Sequence, residues 1–453
     1  MKHYPVTMSL LLGGTFLSMA QDKPNIIIIY TDDMGYADLS CYGGDFVKTE
    51  NIDRLAEEGI RFTQYYTAAP ISSPSRVGIT TGMYPTRWGI RSFLQTREGN
   101  RKNIQNDFLS DRAPSLARTL RDNGYRTAHF GKWHMGGGRD VDNAPSIYNY
   151  GFDEYVSTWE SPDPDKMITA SNWIWSDQDS IKRWNRTAYY VDKTLEFLKK
   201  NRDKPCYINL WPDDVHTPFV PNPQQLSTDK NDWEKVESFR FVLKEYDKQI
   251  GRLMQGLKSL GVDNNTLIIF SSDNGPNPSY GVERTKGLRG KKGTLYEGGI
   301  RMPFIVRWPS VITPNQVNEN SVLASVDIFP TLCSITKSRI STDFPQDGED
   351  RSDVILKNKN SERNKPVFWE FSRRKQTATG KENGPMPQVA VRWQEWKLLV
   401  FIDGSEVELY NMEDDPLEQN NVADQYKNTA ERLKFEALRW FSHSFREFAN
   451  INK

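Results

Sequence analysis

Asn25-Ile26-Ile27-Ile28-Ile29-Tyr30 is a continuous, mostly β-branched run with no polar alternation. A strand with one wet face alternates apolar and polar residues. A run like this one must be covered on both sides, as in a parallel sheet between helical layers. Three further short apolar runs, at 126–130, 206–211 and 266–271, repeat the signal. Helical patterns separate them. Residues 51–58 end at Gly59 and residues 115–123 at Gly124, while 187–200 and 233–260 are longer. Strands alternating with helices predict an α/β domain built on a large, mostly parallel sheet flanked by helices.

The pattern changes near residue 340. Residues 341–365 are polar and charged and read as a long surface connection. Short runs at 366–371, 389–393, 396–402 and 406–410 follow, separated by turn signals such as Asp403-Gly404, and read as antiparallel strands. An amphipathic helix over 429–448 closes the chain. At the other end, Lys2 and His3 precede a short apolar stretch that finishes in Ser18-Met19-Ala20. That stretch is too short for a membrane span and reads as a cleaved secretory signal. The expected organisation is a signal peptide over 1–20, a large α/β domain over 21–345 and a small α+β subdomain over 346–453. The protein is expected to be periplasmic or secreted, with no membrane anchor.

Lys+Arg and Asp+Glu both number 59, so no basic excess supports nucleic-acid binding. Cys41, Cys206 and Cys333 lie far apart, too few for a disulfide framework or a cysteine zinc site. Any metal must be held by oxygen or histidine.

Polar clusters fall just after the apolar runs, where the binding crevice of an open α/β sheet lies. Thr31-Asp32-Asp33-Met34-Gly35 follows the first run and Ser272-Asp273-Asn274-Gly275 the fourth. Alone, Asp-Asp caps a helix and Asp-Asn-Gly makes a turn. Matched positions after two strands instead assemble an all-oxygen set suited to Ca²⁺ or Mg²⁺. Ser72-Ser73-Pro74-Ser75-Arg76 places Ser72 at a helix start, where free N–H groups favour an anion, with Arg76 one turn on. Lys132 and His134 project to one side of an extended segment, and His216 follows another strand. Lys291 and Lys292 lie in a glycine-bounded loop able to bind an oxyanion. A hard cation, an arginine, lysines and two histidines around a serine describe a site for a tetrahedral oxyanion. That chemistry is phosphoryl or sulfuryl transfer, and the residues alone do not choose between them.

Taken together and in order, these clusters resemble the type I sulfatases of the alkaline-phosphatase-like superfamily. The strings that carry the resemblance include Asp32-Asp33-Met34-Gly35-Tyr36, Asn51-Ile52-Asp53-Arg54-Leu55-Ala56, Ser72-Ser73-Pro74-Ser75-Arg76 and Gly82-Met83-Tyr84-Pro85. Gly131-Lys132-Trp133-His134, Ser272-Asp273-Asn274-Gly275 and Tyr296-Glu297-Gly298-Gly299-Ile300-Arg301 continue it. The resemblance implies that Ser72 is oxidised to formylglycine, whose hydrate attacks sulfur. It implies Ca²⁺ held by Asp32, Asp33, Asp273 and Asn274, with residue 72 also touching the metal. Arg76 and Lys132 would hold the hydrate and the sulfate, and His134 would take the proton that lets sulfate leave. His216 and Lys292 would bind sulfate and protonate the departing alcohol. Lys292 is chosen over Lys291 because it directly precedes Gly293-Thr294.

A serine at position 72 resembles the substrates of radical-SAM maturases, so the implied partner is a formylglycine-generating enzyme acting before export from a bacterial cell. The implied substrate is a sulfated carbohydrate, with Arg139 contacting hydroxyl or sulfate groups and Trp159 stacking on a sugar. The alternatives are a phosphodiester or phosphonate hydrolase on the same fold, and an unmatured glycan-binding pseudo-sulfatase.

Overall fold

The computed structural model describes residues 23–171, 175–226, 232–277, 284–371 and 386–451. The expected signal peptide over 1–20 lies outside the described residues. The main sheet is made of β1 (Asn25–Thr31), β2 (Ile60–Tyr66), β3 (Arg126–Gly131), β4 (Glu154–Ser157), β5 (Cys206–Trp211), β6 (Thr266–Ser272), β7 (Arg301–Arg307), β8 (Gln316–Asn318) and β9 (Leu323–Ala324). Helices α1 (Glu50–Glu57), α2 (Ser72–Thr81), α3 (Arg97–Lys102), α4 (Leu116–Asp122), α5 (Arg186–Lys200), α6 (Val236–Leu260), α7 (Glu297–Ile300), α8 (Ile328–Thr336) and α9 (Ser352–Lys357) belong to the same layers. The second sheet holds β10 (Val367–Glu370), β11 (Val389–Trp393), β12 (Trp396–Val400) and β13 (Glu408–Asn411), followed by α10 (Lys427–Ile451).

Among the described residues the main sheet has nine strands in the order β4-β3-β5-β1-β6-β7-β2-β8, with β9 also on β2. β4, β3, β5, β1 and β6 are parallel neighbours. β7 runs antiparallel to both β6 and β2. The expected mostly parallel α/β sheet and the small antiparallel C-terminal sheet are therefore both present, with one reversed strand inside the larger one.

The register explains the opening apolar run. Ile26, Ile28 and Tyr30 pack into a core on one face with Val77, Trp211, Leu267 and Phe304. Ile27 and Ile29 pack into the opposite core with Phe130, Ile208, Phe239, Leu243 and Phe270. Each isoleucine is buried because both faces are covered. A third cluster joins the small sheet and α10 to Tyr66, Ile71, Leu295, Tyr296 and Ile300. The C-terminal sheet thus rests directly on the segments that carry Ser72 and Lys292.

Residues 341–365 are more structured than a surface connection. α9 lies within them, and its Val354 and Ile355 are buried in the first core. The single Val354-Ile355-Leu356 run among polar residues is too short to produce a periodic signal.

Candidate active site

Because β2 runs parallel to β6, and β7 antiparallel to both, seven segments meet at one edge of the sheet. β1 delivers Asp32 and Asp33, β6 delivers Asp273 and Asn274, and β3 leads into Lys132 and His134. β5 leads to His216, β4 to Trp159 and Glu160, and β2 to the start of α2. β7 is entered through the loop bearing Lys292.

Ser72 is the first residue of α2, preceded by Ile71 in extended conformation at φ −155°. All ten residues of α2 are buried. Ser72 Oγ donates to Asp32 Oδ1 at 3.1 Å and lies 3.4 Å from Asn274 Oδ1. Lys132 Nζ is 3.5 Å from the same hydroxyl and 2.8 Å from Asp32 Oδ2. Arg76 pairs with Asp273 at 2.7 Å and lies 3.5 Å from Asp32. Its other terminal nitrogen donates to the Lys132 carbonyl at 2.9 Å. Both ends of the guanidinium are therefore occupied, and Arg76 acts on the centre through Asp273 and the Lys132 backbone.

Asn274 Nδ2 donates to Asp33 Oδ1 at 2.7 Å. Lys292 Nζ reaches the Asp33 carboxylate at 2.7 Å and His216 Nε2 at 3.3 Å. His216 Nε2 is 3.5 Å from Asp33 Oδ2. Asp33 and His134 adopt left-handed conformations, at φ +59° and +49°, which asparagine-like and histidine side chains tolerate best. The Asp33 turn is clamped by buried Arg284, which donates to the Asp33 carbonyl at 2.9 Å and pairs with Asp38 at 2.6 Å. The His216 loop is held by Arg183, which donates to the carbonyls of Asp213 and His216 at 2.7 and 2.8 Å.

The three carboxylates Asp32, Asp33 and Asp273 are fully buried in one place. Burial works to raise Asp32, but Lys132, His216, Arg76 and Lys292 outweigh it and hold the carboxyl well below the usual range. Burial likewise opposes ionisation of Asp33, and Lys292 and His216 overcome it. Asp273 is pushed up to about 7, by burial first and then by Asp32 and Asp33, against the pull of Arg76. That crowding of negative charge is what a bound cation relieves, and the donors are hard oxygens. Asp32, Asp33 and His216 also offer ligand atoms within 4.8 Å of one another. The donor set fits a hard divalent ion. Burial lowers His134 to about 4, so its ring is neutral at neutral pH, and burial also lowers His216, against the pull of Asp33 and Asp32.

The two residues expected to line a sugar subsite, Arg139 and Trp159, fall on the rim of this group in a different arrangement from the expected one. Trp159 is only 6% exposed, and the Arg139 guanidinium sits 4.8 Å from its ring centre. The indole is packed beneath Arg139 and is not an open stacking platform. Arg139, with a side chain 28% exposed, is the reachable member of the pair. It is bonded to Glu160 at 3.2 Å. Glu160 is the residue that sequence reasoning passed over. Its carboxylate lies 3.5 Å from His134 Nδ1 and 3.9 Å from Lys132 Nζ.

The sulfatase family model matches residues 24–338, and a model for the C-terminal part of N-sulphoglucosamine sulphohydrolase matches residues 289–439. The chain belongs to the sulfatase family, and it is a sulfatase. It is 28% identical to the N-acetylgalactosamine-6-O-sulfatase of Bacteroides thetaiotaomicron, over 91% of this chain and 92% of that one. It is also 28% identical to the steryl-sulfatase of Rattus norvegicus, over 78% of this chain and 74% of the relative. Among solved structures, Ps i-CgsB in complex with k-i-k-neocarrahexaose superposes with a TM-score of 0.77 at 25% identity, covering 93% of both chains. Structural neighbours of this kind share the alkaline-phosphatase-like fold.

Proposed function

We propose that this sulfatase removes O-sulfate from carbohydrates, with residue 72 as nucleophile after Ser72 is converted to formylglycine. The observation that carries this reading is the placement of Ser72 Oγ at a helix start, against Asp32 and Lys132. A bound Ca²⁺ would supply positive charge to the sulfate oxygens and to the oxygen of residue 72. Asp32, Asp33, Asp273 and Asn274 would hold it.

The side chains supply the rest. Lys132 balances Asp32 and presents an ammonium to the sulfate. Lys292 and His216 stand together on the outer side of Asp33, where the ester oxygen of the departing alcohol would lie, and deliver its proton. His134, kept neutral by burial, accepts the proton released when sulfate departs. Arg76 fixes Asp273 and the Lys132 backbone. A maturase of radical-SAM type would modify Ser72 before export.

The sugar preference draws on the polar mouth of the site. His216, Lys292 and Arg139 are its partly exposed groups, and a sterol would strip water from these charges without replacing it. Several relatives carry the names of sugar sulfatases. The test is sulfate release by the matured enzyme from sulfated mono- and oligosaccharides alongside a sterol sulfate. Preferential turnover of at least one sugar sulfate is expected, and turnover of the sterol sulfate alone would overturn the carbohydrate assignment.

A further inference from the structure

β3 and β4 are parallel neighbours with Gly131 opposite Ser157, so residues 132–138 and 158–162 leave the sheet side by side. The backbones are laced together, with His134 N–H donating to the Glu160 carbonyl at 3.0 Å. Gly138, at φ +76°, allows the close approach, because a Cβ there would sit 2.6 Å from the Trp159 carbonyl oxygen. This lacing presses the Glu160 side chain against the His134 ring.

The tautomer of His134 follows from its partners. Nε2 lies 3.1 Å from the Leu94 carbonyl, which can only accept, so Nε2 carries the hydrogen. Nδ1 therefore bears the lone pair, and it is a buried atom with no hydrogen-bond partner among the described residues. Glu160 Oε2 lies 3.5 Å from it. For a neutral ring that contact is unfavourable, since a lone pair faces a carboxylate. Once Nδ1 takes a proton, the imidazolium lies between a carbonyl and a carboxylate and is stabilised at both ends.

We infer that Glu160 is a positioning residue that makes His134 Nδ1 the proton acceptor, by stabilising the protonated ring that forms as sulfate leaves. The inference rests on the role given to His134 above. In that step the electron pair of the breaking carbon–oxygen bond departs with sulfate. The hydroxyl proton on residue 72 moves to Nδ1 and passes on to water, while the O–H electron pair closes the C=O bond of the regenerated aldehyde. Burial opposes charge on His134, and Glu160 works against that penalty. The second carboxylate oxygen of Glu160 holds Arg139, which ties the same step to the mouth of the site.

The test is a double-mutant cycle in the matured, full-length enzyme with nitrophenyl sulfate. His134→Ala is expected to lose roughly 10²–10⁴-fold in kcat, the usual contribution of a general base. Glu160→Gln is expected to lose about tenfold or more, the equivalent of one pKa unit of lost charge stabilisation. The double variant should be no slower than His134→Ala alone. Glu160→Gln should also release its first equivalent of nitrophenol quickly and then turn over slowly, because the weakened step follows departure of the alcohol. Glu160→Asp, which keeps the charge, should recover part of the loss, and it replaces Glu160→Gln in the cycle if the amide variant does not fold. Losses that multiply, or slowing with no fast first equivalent, would overturn this inference while leaving the role of His134 intact. His134→Ala turning over at the wild-type rate would overturn the role on which it rests.

Discussion

His216 is oriented by its own chain. Nδ1 lies 2.5 Å from the Thr217 carbonyl, an acceptor only, so Nδ1 carries the hydrogen and Nε2 faces Lys292. On the proposed chemistry, a proton for the departing alcohol sits on Lys292 Nζ or passes through His216 Nε2. A sugar alkoxide leaves poorly without that proton, whereas nitrophenolate leaves readily. If His216 serves as the acid, His216→Ala should lose roughly 10²–10⁴-fold more on a sugar sulfate than on nitrophenyl sulfate, the usual range for general acid catalysis. Equal penalties in kcat/KM would assign the proton to Lys292 alone. At this scale the sequence was legible wherever a side chain sits in a compact run after a strong strand, as Asp32, Asp33, Lys132, His134, Asp273 and Asn274 do. Glu160 was not, because its place depends on a neighbour across the sheet. The packing of Trp159 was illegible for a related reason, since a sequence does not show that Arg139 folds over the indole.

The elements differ in legibility for a physical reason. β1, β3, β5 and β6 are buried on both faces and are written as continuous apolar runs. β4 has four residues, and its outer half is only partly buried, so it left little signal and Glu160 went with it. α2 is buried all round but made largely of Ser, Thr and Gly, which gives no amphipathic stripe. β7 contains Pro303, which ordinarily argues against an interior strand. Its pairing with β2 slips between Phe62 and Tyr65, and that irregularity accommodates the missing N–H. The β3–β5 junction offers the most direct test at this scale. Gly131 sits at φ +124°, and a Cβ there would lie 2.0 Å from the Trp211 carbonyl oxygen. Gly131→Ala should push the end of β3 off β5 and displace Lys132. A lower Tm together with loss of nearly all turnover is expected from thermal melts and sulfate-release assays. A variant with wild-type rates would show that this strand end does not position the site.

Across the whole molecule, the large sheet supplies the edge on which the residues meet, and the small sheet braces two of the segments from outside. No helix among the described residues is long and apolar enough to cross a membrane. Burial also leaves a signature in stability. His129 is fully buried among Trp133, Phe152 and Trp211, and burial lowers it to about 3. Its folded pKa lies below its unfolded value, so between them the unfolded chain binds the extra proton, and stability falls as pH drops from about 6.5 toward 3. The slope from one such group reaches about 1.4 kcal/mol per pH unit. His129→Phe should flatten that part of the profile in denaturant titrations, and an unchanged slope would show that His129 is not a source of it. On the proposed chemistry, turnover belongs to residue 72 in its oxidised form. Conversion of Ser72 to formylglycine removes two hydrogens, about 2 Da, so the modified fraction of each preparation can be read by mass spectrometry of the peptide containing residue 72. Sulfate release from a sulfated sugar should rise in proportion to that fraction and extrapolate to zero when it is absent. Preparations carrying only serine at position 72 that turn over at the full rate would contradict the claim.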